Sequence, residues 1–347
     1  MESFLRFVGN LFLLIALLLS PDEDKSMTTR VSEGVGMAVH YIDVGQADCA
    51  LIECDGEFAL IDGGNVDDGQ MIVAYLDQQG VQTLSAMVCS HAHEDHVGGL
   101  SAVLAKFDVE SVYAPVKSYD SKVYSDFARY AKKEGCGITV PAPGDSFSVG
   151  GAQVTVLGPV KDYEEPNNTS LVLKVEYGTD SFLFTGDMEV LAENDMLDAG
   201  ADVRADVLKV GHHGSETSSG YRFVYEVMPD YGVISVGTGN TYGHPHTAPL
   251  SRLKDAGVVL FRTDELGTVI ARTDGSRLSF TWENQSAQPE DVEPGDGEKR
   301  VYIGNRKTRR FHTEDCINLP KGPNRVEFET YDIAAAAGYE PCQSCLK

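Results

Sequence analysis

The sequence predicts an α/β protein in which two mixed β-sheets pack face to face, with helices on both outer faces. Three observations lead to this fold class. Both halves of residues 35–283 consist of short β-prone runs followed by segments with helical spacing. Acidic and histidine side chains repeatedly follow apolar strands, so we expect them to converge at one edge of the sheets. The C-terminal tail, which is short and carries three cysteines, predicts a separate small domain.

The first half begins with β-prone runs that are separated by turns containing Gly and Asp. A segment with helical spacing and a terminal glycine follows, and then strands alternate with helices. In chain order these segments read VHYIDV, CALIEC, FALIDGG, MIVAYLDQQG, LSAMVCS, residues 100–107, ESVYAP and SKVYSDFARYAKKEG.

The second half repeats this organisation, with β-prone runs first and strands alternating with helices afterwards. Three further strands close the domain. In chain order the segments read AQVTVLGP, SLVLKVEYG, SFLFTGD, MEVLAENDMLDAG, DVLKVG, residues 221–227, GVISVG, PLSRLKDAG, VVLFRT, GTVIART and RLSFTWE.

Composition divides the chain into four parts. Residues 1–26 form a targeting segment with its linker, and residues 35–283 form the main domain. An acidic stretch with Pro and Gly, residues 284–298, predicts a flexible linker. The tail, residues 299–347, begins with a basic run from Lys299 to Arg310.

The N-terminus predicts export or membrane anchoring. Arg6 precedes the apolar run LFLLIALLL, whose length suits a signal peptide and falls short of the ~20 residues that span a bilayer. No A-x-A cleavage site follows, so a retained anchor is an alternative. If translation starts at Met27 or Met37, the protein would instead be cytoplasmic.

The formal net charge of −25 argues against a protein that coats nucleic acid, because phosphates need cationic partners. This charge does not exclude an enzyme that holds phosphates through metal ions. The acidic residues lie mainly in the main domain and linker, whereas the start of the tail is basic.

The run SHAHEDHVGG contains the strongest metal signal. His91, His93, Asp95 and His96 fit an HxHxDH pattern, and imidazole with carboxylate suits borderline divalent metals. We expect a loop after the strand LSAMVCS to turn these side chains into one cleft. Two glycines, at positions 98 and 99, are then expected to let the chain turn tightly into a helix.

Four more pieces place polar residues after apolar strands. Asp62 follows one strand in IDGGN, and Asp187 follows another in FLFTGD. The stretch LKVGHHGS carries His212 and His213, and GNTYGHPH carries His244 and His246. Each piece alone is a weak signal, but together with HxHxDH they predict one metal site at the sheet edge.

These motifs, in this order, resemble the metallo-β-lactamase fold superfamily from about Met37 to Trp282. Within it, VHYIDVGQAD, SHAHEDHVGGL, NNTSLVLKVEYG, FLFTGD, LKVGHHGS and TYGHPH look like the ComEC-type hydrolase branch. That branch includes soluble domains of DNA-uptake channel proteins and stand-alone exported proteins. The resemblance implies an αββα sandwich and metal-dependent hydrolysis, with DNA nuclease activity favoured.

The resemblance also implies roles for individual residues. His91 and His93 would bind a first metal, Asp95 and His96 a second, and Asp187 would bridge the two. One of His212 and His213 would complete the second site, with His213 favoured because it directly precedes a Gly-Ser turn. Asp62 would hold the ligand geometry from behind, and His244 would donate a proton or contact a phosphate.

The chain departs from the superfamily pattern at the first metal. That metal usually takes a third histidine between HxHxDH and TGD, but no histidine occurs between His96 and His212. The matching stretch is NNTS, so Asn167 or Asn168 occupies the position, and we take Asn168 as the candidate ligand. An amide oxygen suits harder ions, so this site is expected to be weak or to prefer Mn²⁺ over Zn²⁺. Ala47 also stands where the branch usually has glycine.

The leading interpretation is therefore a two-metal hydrolase that cuts phosphodiesters, with DNA as the favoured substrate. Paired cations lower the pKa of a water molecule and offset the charge of the transition state, and Asp95, Asp187 and His244 are the candidate catalytic residues. Two alternatives remain: a hydrolase of another ester or amide, such as a lactone, phosphocholine ester or β-lactam, and a non-catalytic DNA-binding or uptake accessory protein.

The tail carries a second metal signature. His312 and Cys316, followed by Cys342 and Cys345, provide four ligands with the spacing of a structural zinc site. About 50 residues can hardly bury enough core without such a staple. YIGNRKTRRFHTEDC and AAAAGYEPCQSC resemble the small zinc domain of Ada-type DNA repair proteins. Histidine at the first ligand position makes methyl transfer unexpected. The basic run could contact phosphates.

Overall fold

The structure is a computed structural model that describes residues 36–290, 302–313, 316, 318–320, 324–328, 334, 337–342 and 345. The main domain contains two large β-sheets, and the first has the strand order β17-β16-β1-β2-β3-β5-β7-β8. Its strands are β1 (Met37–Tyr41), β2 (Ala50–Cys54), β3 (Glu57–Ile61), β5 (Ala86–Val88), β7 (Val112–Tyr113), β8 (Ile138–Thr139), β16 (Val269–Thr273) and β17 (Leu278–Trp282). A separate two-stranded sheet pairs β4 (Thr83–Leu84) with β6 (Asp108–Val109).

The second large sheet has the strand order β15-β14-β13-β12-β11-β10-β9. Its strands are β9 (Ser146–Val149), β10 (Ala152–Gly158), β11 (Val172–Tyr177), β12 (Asp180–Phe184), β13 (Val207–Lys209), β14 (Tyr231–Ile234) and β15 (Val259–Arg262). Each sheet is antiparallel in one half and parallel in the other. The parallel halves are β3-β5-β7-β8 and β12-β13-β14-β15.

Helices cover the outer face of each sheet. They are α1 (Gly69–Gln78), α2 (Glu94–Val97), α3 (Leu100–Lys106), α4 (Lys122–Glu134), α5 (Val190–Asp198), α6 (Tyr221–Val227), α7 (Thr247–Asp255) and α8 (Thr263–Leu266). One apolar core lies between the sheets and includes Val39 and Phe182. A second core packs the first sheet against α1, α3 and α4, and a third packs the second sheet against α5, α6 and α7. The four layers form an αββα sandwich, as the sequence predicted.

The parallel strands explain where the polar residues meet. Asp62 follows β3, Ser90 and His91 follow β5, Asp187 follows β12, and His213 follows β13. The carboxyl ends of neighbouring parallel strands lie at one edge of a sheet, which is where ligands bind in open α/β folds. The predicted convergence at a sheet edge therefore follows from strand direction.

The structure corrects two expectations about the HxHxDH run. Only its first part is a loop, because Glu94–Val97 forms the short helix α2, with His93 as its N-terminal capping residue. Gly98 and Gly99 have ordinary right-handed helical backbone angles, so they are not needed for a tight turn. A Cβ atom on Gly98 would lie 2.3 Å from the carbonyl carbon of Asn65, so the glycines allow close backbone approach instead.

Most other elements lie where the sequence placed them. Helix α4 begins after Ser121, whose hydroxyl accepts a hydrogen bond from the backbone N–H of Tyr124, and it ends at the left-handed Gly135. The predicted strand ESVYAP was too long, because only Val112–Tyr113 pairs with its neighbours. The predicted targeting segment lies outside the described residues. Among the residues that the structure describes, no helix has the length and apolar character needed to cross a membrane.

The described part of the tail forms a small sheet of its own, with the strand order β20-β18-β19-β21. These strands are β18 (Tyr302–Asn305), β19 (Arg310–His312), β20 (Arg325–Phe328) and β21 (Glu340–Pro341). Its apolar residues include Phe311 and Phe328. The hairpin between β18 and β19 presents residues 306–309 of the basic run as an exposed turn.

Candidate metal centre

The HxHxDH side chains are positioned by β5 and by the short helix α2. Met87 and Val88 of β5 are completely buried, which fixes the strand and the direction of the chain that leaves it. His91 and His96 are buried, whereas Asp95 is partly exposed. The backbone of this segment is tied to the chain after β3, because Gly63 N–H donates to the His96 carbonyl oxygen at 2.7 Å. The motif is therefore held between two neighbouring strands.

Four side chains from three strand ends form a compact group: Asp95, His96, Asp187 and His213 each offer a ligand atom, and all of these atoms lie within 4.8 Å of one another. His96 Nε2 lies 3.2 Å from Asp187 Oδ1, and His213 Nε2 lies 3.3 Å from Asp95 Oδ2. This group matches the second metal site that the family resemblance implied, with His213 as its last member.

The side chains expected at the first metal lie beside this group. His91 Nε2 is 3.0 Å from His93 Nδ1 and 3.9 Å from Asp187 Oδ2. Asp187 therefore faces both sets, with Oδ1 towards His96 and Oδ2 towards His91. Asp187 thus lies between the two sets of side chains.

His212 and His213 adopt an unusual backbone conformation. Their φ angles are +52° and +53°, in the left-handed region that non-glycine residues rarely occupy. In this conformation the two imidazole rings point in different directions. His213 is buried within the group of four, while His212 is one-fifth exposed and its Nε2 lies 3.5 Å from Asp187 Oδ2. The structure thus separates the two candidates that spacing alone could not.

Partners behind the ligands fix which nitrogen faces the centre. Asp62 Oδ2 lies 2.9 Å from His96 Nδ1, and its Oδ1 accepts the backbone N–H of Ser90 at 2.6 Å. The Ser235 carbonyl oxygen lies 2.9 Å from His213 Nδ1. A histidine whose Nδ1–H donates to such a partner presents its Nε2 lone pair to a metal. Asp62 therefore lies where the resemblance implied.

Two residues that the sequence analysis did not assign complete this layer. Lys209 is 3% exposed, and its Nζ donates to Asp48 Oδ2 at 2.8 Å and to the Val210 carbonyl oxygen at 3.2 Å. Asp48 Oδ1 lies 3.2 Å from His213 Nδ1. A lysine inside the apolar run DVLKVG was the available signal, because a lysine in a buried strand needs an anionic partner. Its partner was not visible in the sequence.

Electrostatics keep the acids of the group ionised. Burial opposes ionisation of Asp187, but His96 and His213 outweigh it and hold the pKa of Asp187 well below its ordinary value. Burial likewise opposes ionisation of Asp95, but His96 and His213 lower its pKa to about 2. Metal-ligating carboxylates must be deprotonated, so these acids are ready to bind a cation at neutral pH.

The histidines differ in charge according to their neighbours. Burial lowers the pKa of His91 well below its ordinary value, and the nearby His96 lowers it further. Burial would also lower the pKa of His213, but Asp187 and Asp48 outweigh it and raise the value to about 10. The carboxylates therefore attract positive charge to the position where a metal would lie.

The residues fit a divalent metal. His96 Nε2 and Asp187 Oδ1 are buried and have no hydrogen-bond partner among the described residues, although the two atoms are only 3.2 Å apart. Buried polar atoms in native proteins are nearly always satisfied, so two such atoms facing one point fit a divalent cation as their shared partner. Two imidazole nitrogens with two carboxylates suit the borderline ion Zn²⁺ and also the harder ion Mn²⁺.

Asn168, the candidate replacement for the missing histidine, is engaged elsewhere. Its Oδ1 accepts the backbone N–H of Glu189 at 3.1 Å, and its Nδ2 donates to Glu189 Oε2 at 3.4 Å. These bonds tie the NNTS segment to the turn after Asp187. Asn168 would therefore have to share its amide oxygen in order to bind a metal.

His244 borders the cleft and is held in a single tautomer. Gln46 Oε1 accepts the backbone N–H of Gly237 at 3.1 Å, so the amide nitrogen of Gln46 faces His244 Nδ1 at 3.3 Å. His244 Nδ1 therefore accepts, and its proton is on Nε2. Burial lowers the pKa of His244 to about 4, and the neighbouring His212 contributes. Without a ligand, His244 therefore presents an Nε2–H donor at this edge of the cleft.

The tail brings its four candidate ligands together. His312, Cys316, Cys342 and Cys345 offer ligand atoms that lie within 4.8 Å of one another. Cys316 Sγ is 3.2 Å from His312 Nδ1 and 4.0 Å from Cys342 Sγ. Zn–S bonds of ~2.3 Å place tetrahedral sulfurs about 3.8 Å apart, so the spacing suits zinc.

Comparison with known proteins gives consistent relatives. The model of the metallo-beta-lactamase superfamily matches residues 42–238. ComE operon protein 3 of Bacillus subtilis is 30% identical over 250 residues, which cover 67% of this chain and 32% of that protein. Competence protein ComA of Neisseria gonorrhoeae is 32% identical over 234 residues, again 67% of this chain and 32% of the relative. The chain thus spans about a third of the length of these curated relatives. Among solved structures, the metallo-β-lactamase fold protein YhfI of B. subtilis aligns with a TM-score of 0.45 and 13% identity, over 65% of this chain and 95% of YhfI.

Proposed function

The chain belongs to the metallo-β-lactamase superfamily, and on that premise we propose that it is a metal-dependent phosphodiesterase whose substrate is DNA. Metal-dependent hydrolysis follows from the family. The phosphodiester and DNA specificity is the proposal. The observation that carries the hydrolase part of the proposal is the group of Asp95, His96, Asp187 and His213 beside the His91–His93 pair, whereas the relatives and the tail favour DNA as the substrate.

In this proposal the group of four holds one divalent ion, and His91, His93 and Asp187 contribute to a second. Such ions would supply an activated water near neutral pH and offset negative charge on the substrate. Asp62 and the Ser235 carbonyl orient the imidazoles, so that little rearrangement is needed when an ion binds. His244 Nε2–H would donate a hydrogen bond to a phosphate oxygen.

The choice of DNA is supported by the relatives and by the tail. ComE operon protein 3 and ComA are homologous to the main domain, and ComA is a competence protein by name. These competence relatives favour a role for this protein at the cell envelope. That location agrees with the export or anchoring that the N-terminus predicts. The exposed turn at residues 306–309 is basic and offers cations for DNA phosphates, whereas the main domain is acidic.

One observation favours the accessory-protein alternative. Asn168 uses its amide oxygen to hold Glu189, so this side chain is not a dedicated replacement for the missing histidine at the first site. If the first ion does not bind, the chain would bind DNA without cutting it. Hydrolysis of a different ester or amide remains the other alternative, because the same ligand set serves all of these reactions.

The test is hydrolysis by the purified full chain in the presence of Mn²⁺, Mg²⁺ and Zn²⁺ in turn. Plasmid and single-stranded DNA are compared with a lactone, a phosphocholine ester and a chromogenic β-lactam. We expect DNA cleavage with at least one metal and its loss on chelation. Cleavage of another substrate class alone would contradict the DNA proposal, and DNA binding without any hydrolysis would support the accessory role.

Asp187→Ala provides the matched loss of function. Mutating a residue that only hydrogen-bonds to a metal ligand typically costs ~10–100-fold in activity. Removing the Asp187 carboxylate, which faces both ion positions, should reduce cleavage by more than that. Bound metal, measured on the same sample, should fall as well. The control is Asp198→Ala, an exposed acid on α5 that pairs with Arg222. Cleavage by Asp187→Ala within tenfold of the wild type would contradict the two-metal proposal.

A further inference from the structure

An exposed aromatic ring stands beside the candidate metal centre. Tyr242 is 68% exposed, more than any other large apolar side chain in the part of the chain that the structure describes. One side of its ring stacks on His244, with ring centres 5.6 Å apart and planes inclined by 23°. His244 in turn lies 5.6 Å from the ring of His212. Two ring contacts thus separate Tyr242 from a residue whose Nε2 is 3.5 Å from Asp187.

The loop that carries Tyr242 is fixed by its own hydrogen bonds. Asn240 Oδ1 accepts the backbone N–H groups of Tyr242 and His244, at 3.1 and 3.0 Å. Asn240 Nδ2 donates to the carbonyl oxygens of His244 and Gly237, at 2.6 and 3.0 Å. Gln46 holds His244 from the other side. A large aromatic ring is therefore exposed on a braced loop, where little conformational entropy would be lost on binding a ligand.

We propose that Tyr242 is a nucleobase subsite, on which a base next to the scissile phosphate stacks in single-stranded nucleic acid. This proposal rests on the phosphodiesterase function proposed above and specifies its substrate. Aromatic stacking is the usual way in which proteins bind single strands without reading sequence. It also suits a chain with a formal charge of −25, because stacking does not depend on attracting the polyanion.

The geometry favours single strands over duplexes. Within a duplex each base is already stacked on both faces, so a tyrosine ring has access only to terminal or extruded bases. A single strand exposes every base to such a ring. Tyr242 stacks on His244, which in turn faces His212 beside the metal centre, so a base on the exposed face of Tyr242 would extend this row of rings.

The experiment compares wild type with Tyr242→Ala and Tyr242→Phe in the full chain. The substrates are a single-stranded dT12 oligonucleotide, its duplex with dA12, and a 12-residue strand in which tetrahydrofuran replaces every base. We expect Tyr242→Ala to lower kcat/KM for dT12 by roughly 5- to 150-fold, mainly through KM, because stacking contributes ~1–3 kcal/mol per base. Tyr242→Phe should stay within about threefold of wild type, since it retains the ring.

The base-free strand separates stacking from a structural role. Tyr242→Ala and wild type should cut it equally, because it offers no base to stack. An equal loss on both strands would show that Tyr242 acts by positioning His244, and would overturn the proposal. Unchanged cleavage of dT12 by Tyr242→Ala would overturn it too. Tyr119→Ala, which removes a tyrosine that packs on Tyr124, is the matched control.

A binding measurement keeps this inference distinct from the proposed function. Fluorescence anisotropy of labelled dT12 in the presence of chelator reports affinity without cleavage. If no metal supports hydrolysis, the phosphodiesterase proposal fails, but weaker binding of dT12 by Tyr242→Ala, with no change for the base-free strand, would still support the subsite. Equal affinities of Tyr242→Ala and wild type for dT12 would reject it.

Discussion

At the scale of single residues, the candidate centre depends on charges buried behind the ligands. Lys209 and Asp48 are both almost inaccessible and form an ion pair with a 2.8 Å contact. Asp48 also approaches His213 Nδ1, so the pair links the interior of the second sheet to the metal group. A buried pair of this kind adds little net stability compared with apolar residues, but breaking it leaves an isolated charge in a low-dielectric interior.

We therefore predict a strong, partner-dependent effect of Lys209→Met. Loss of the ammonium should lower the free energy of unfolding by about 3–5 kcal/mol, because Asp48 stays buried without its cation. The double variant Asp48→Asn/Lys209→Met should be more stable than Lys209→Met alone. Urea denaturation measures both. The control is Lys122→Met, since Lys122 is 90% exposed and its solvent-screened pair with Asp126 should contribute little to stability. Additive losses in the double variant would contradict the coupling.

At the scale of elements, two helices hold the segment that follows the metal-site histidines. Glu193 on α5 is buried, and its carboxylate oxygens accept the backbone N–H groups of Ser219 and Gly220, at 2.5 and 2.9 Å. Arg252 on α7 donates to the carbonyl oxygens of Ser218 and Ser219, at 3.0 and 3.1 Å. The backbone of residues 218–220, a few residues after His213, is thus hydrogen-bonded to side chains of both helices.

The buried glutamate predicts a pH-dependent contribution to stability. Burial raises the pKa of Glu193 to about 7, above its value of 4.5 in an unfolded chain. The contribution of Glu193 to the free energy of unfolding is therefore fully present below pH 4.5 and is lost as the pH rises through 7. Relative to Glu193→Gln, the unfolding free energy of the wild type should fall by up to about 3 kcal/mol between pH 4.5 and 8. Parallel stability curves for the two proteins would refute this.

The tail sheet is the other element whose stability depends on one cluster. We predict that the full chain binds one zinc through His312, Cys316, Cys342 and Cys345, independently of the main domain. Cys342→Ser should lower the zinc content by one ion per chain, because the ligand shell then stays open. Metal analysis after gel filtration measures this. Cys136→Ser, at a free cysteine in the main domain, should leave the content unchanged. Equal zinc in Cys342→Ser and wild type would rule the site out.

At the scale of the whole molecule, charge is divided between the parts of the chain. The chain carries −25 overall, yet the exposed turn between β18 and β19 is basic. The structure refines which of its cations are available. Arg309 lies 4.2 Å from the ring centre of Tyr339 and donates to the Ala337 carbonyl oxygen, so it helps to hold the tail together. Arg306, Lys307 and Arg310 are exposed and remain candidates for phosphate contact.

We predict that the tail holds the DNA backbone while the main domain cuts. Changing Arg306, Lys307 and Arg310 to Gln should weaken DNA binding and lower its salt slope by up to about 3 on duplex DNA, because each neutralised phosphate releases counterions. Turnover of a small phosphodiester should not change. Neutralising three exposed cations of α4, Lys122, Arg129 and Lys132, is the matched control. An unchanged salt slope in the tail variant would show that another surface holds DNA.

The amino-acid sequence by itself determined the order of the elements, the αββα class and the family. Each of these follows from local signals: apolar periodicity, turn residues, and ligands that are close in the chain, such as His91, His93 and His96. The positions of Asp62 and Asp187 after strands also predicted the sheet edge where the site lies. The Ada-like zinc tail and the targeting segment stay predictions.

Only the tertiary structure decided how distant residues pair. In the structure, His213 rather than His212 lies in the group of four, and Lys209 pairs with Asp48. The amide oxygen of Asn168 accepts the backbone N–H of Glu189. None of these contacts has a local signature, because each depends on which strands are neighbours and on a backbone conformation at φ +52° that sequence preferences disfavour. Local periodicity fixes where a strand ends, but sheet order and buried charge fix which side chains meet there.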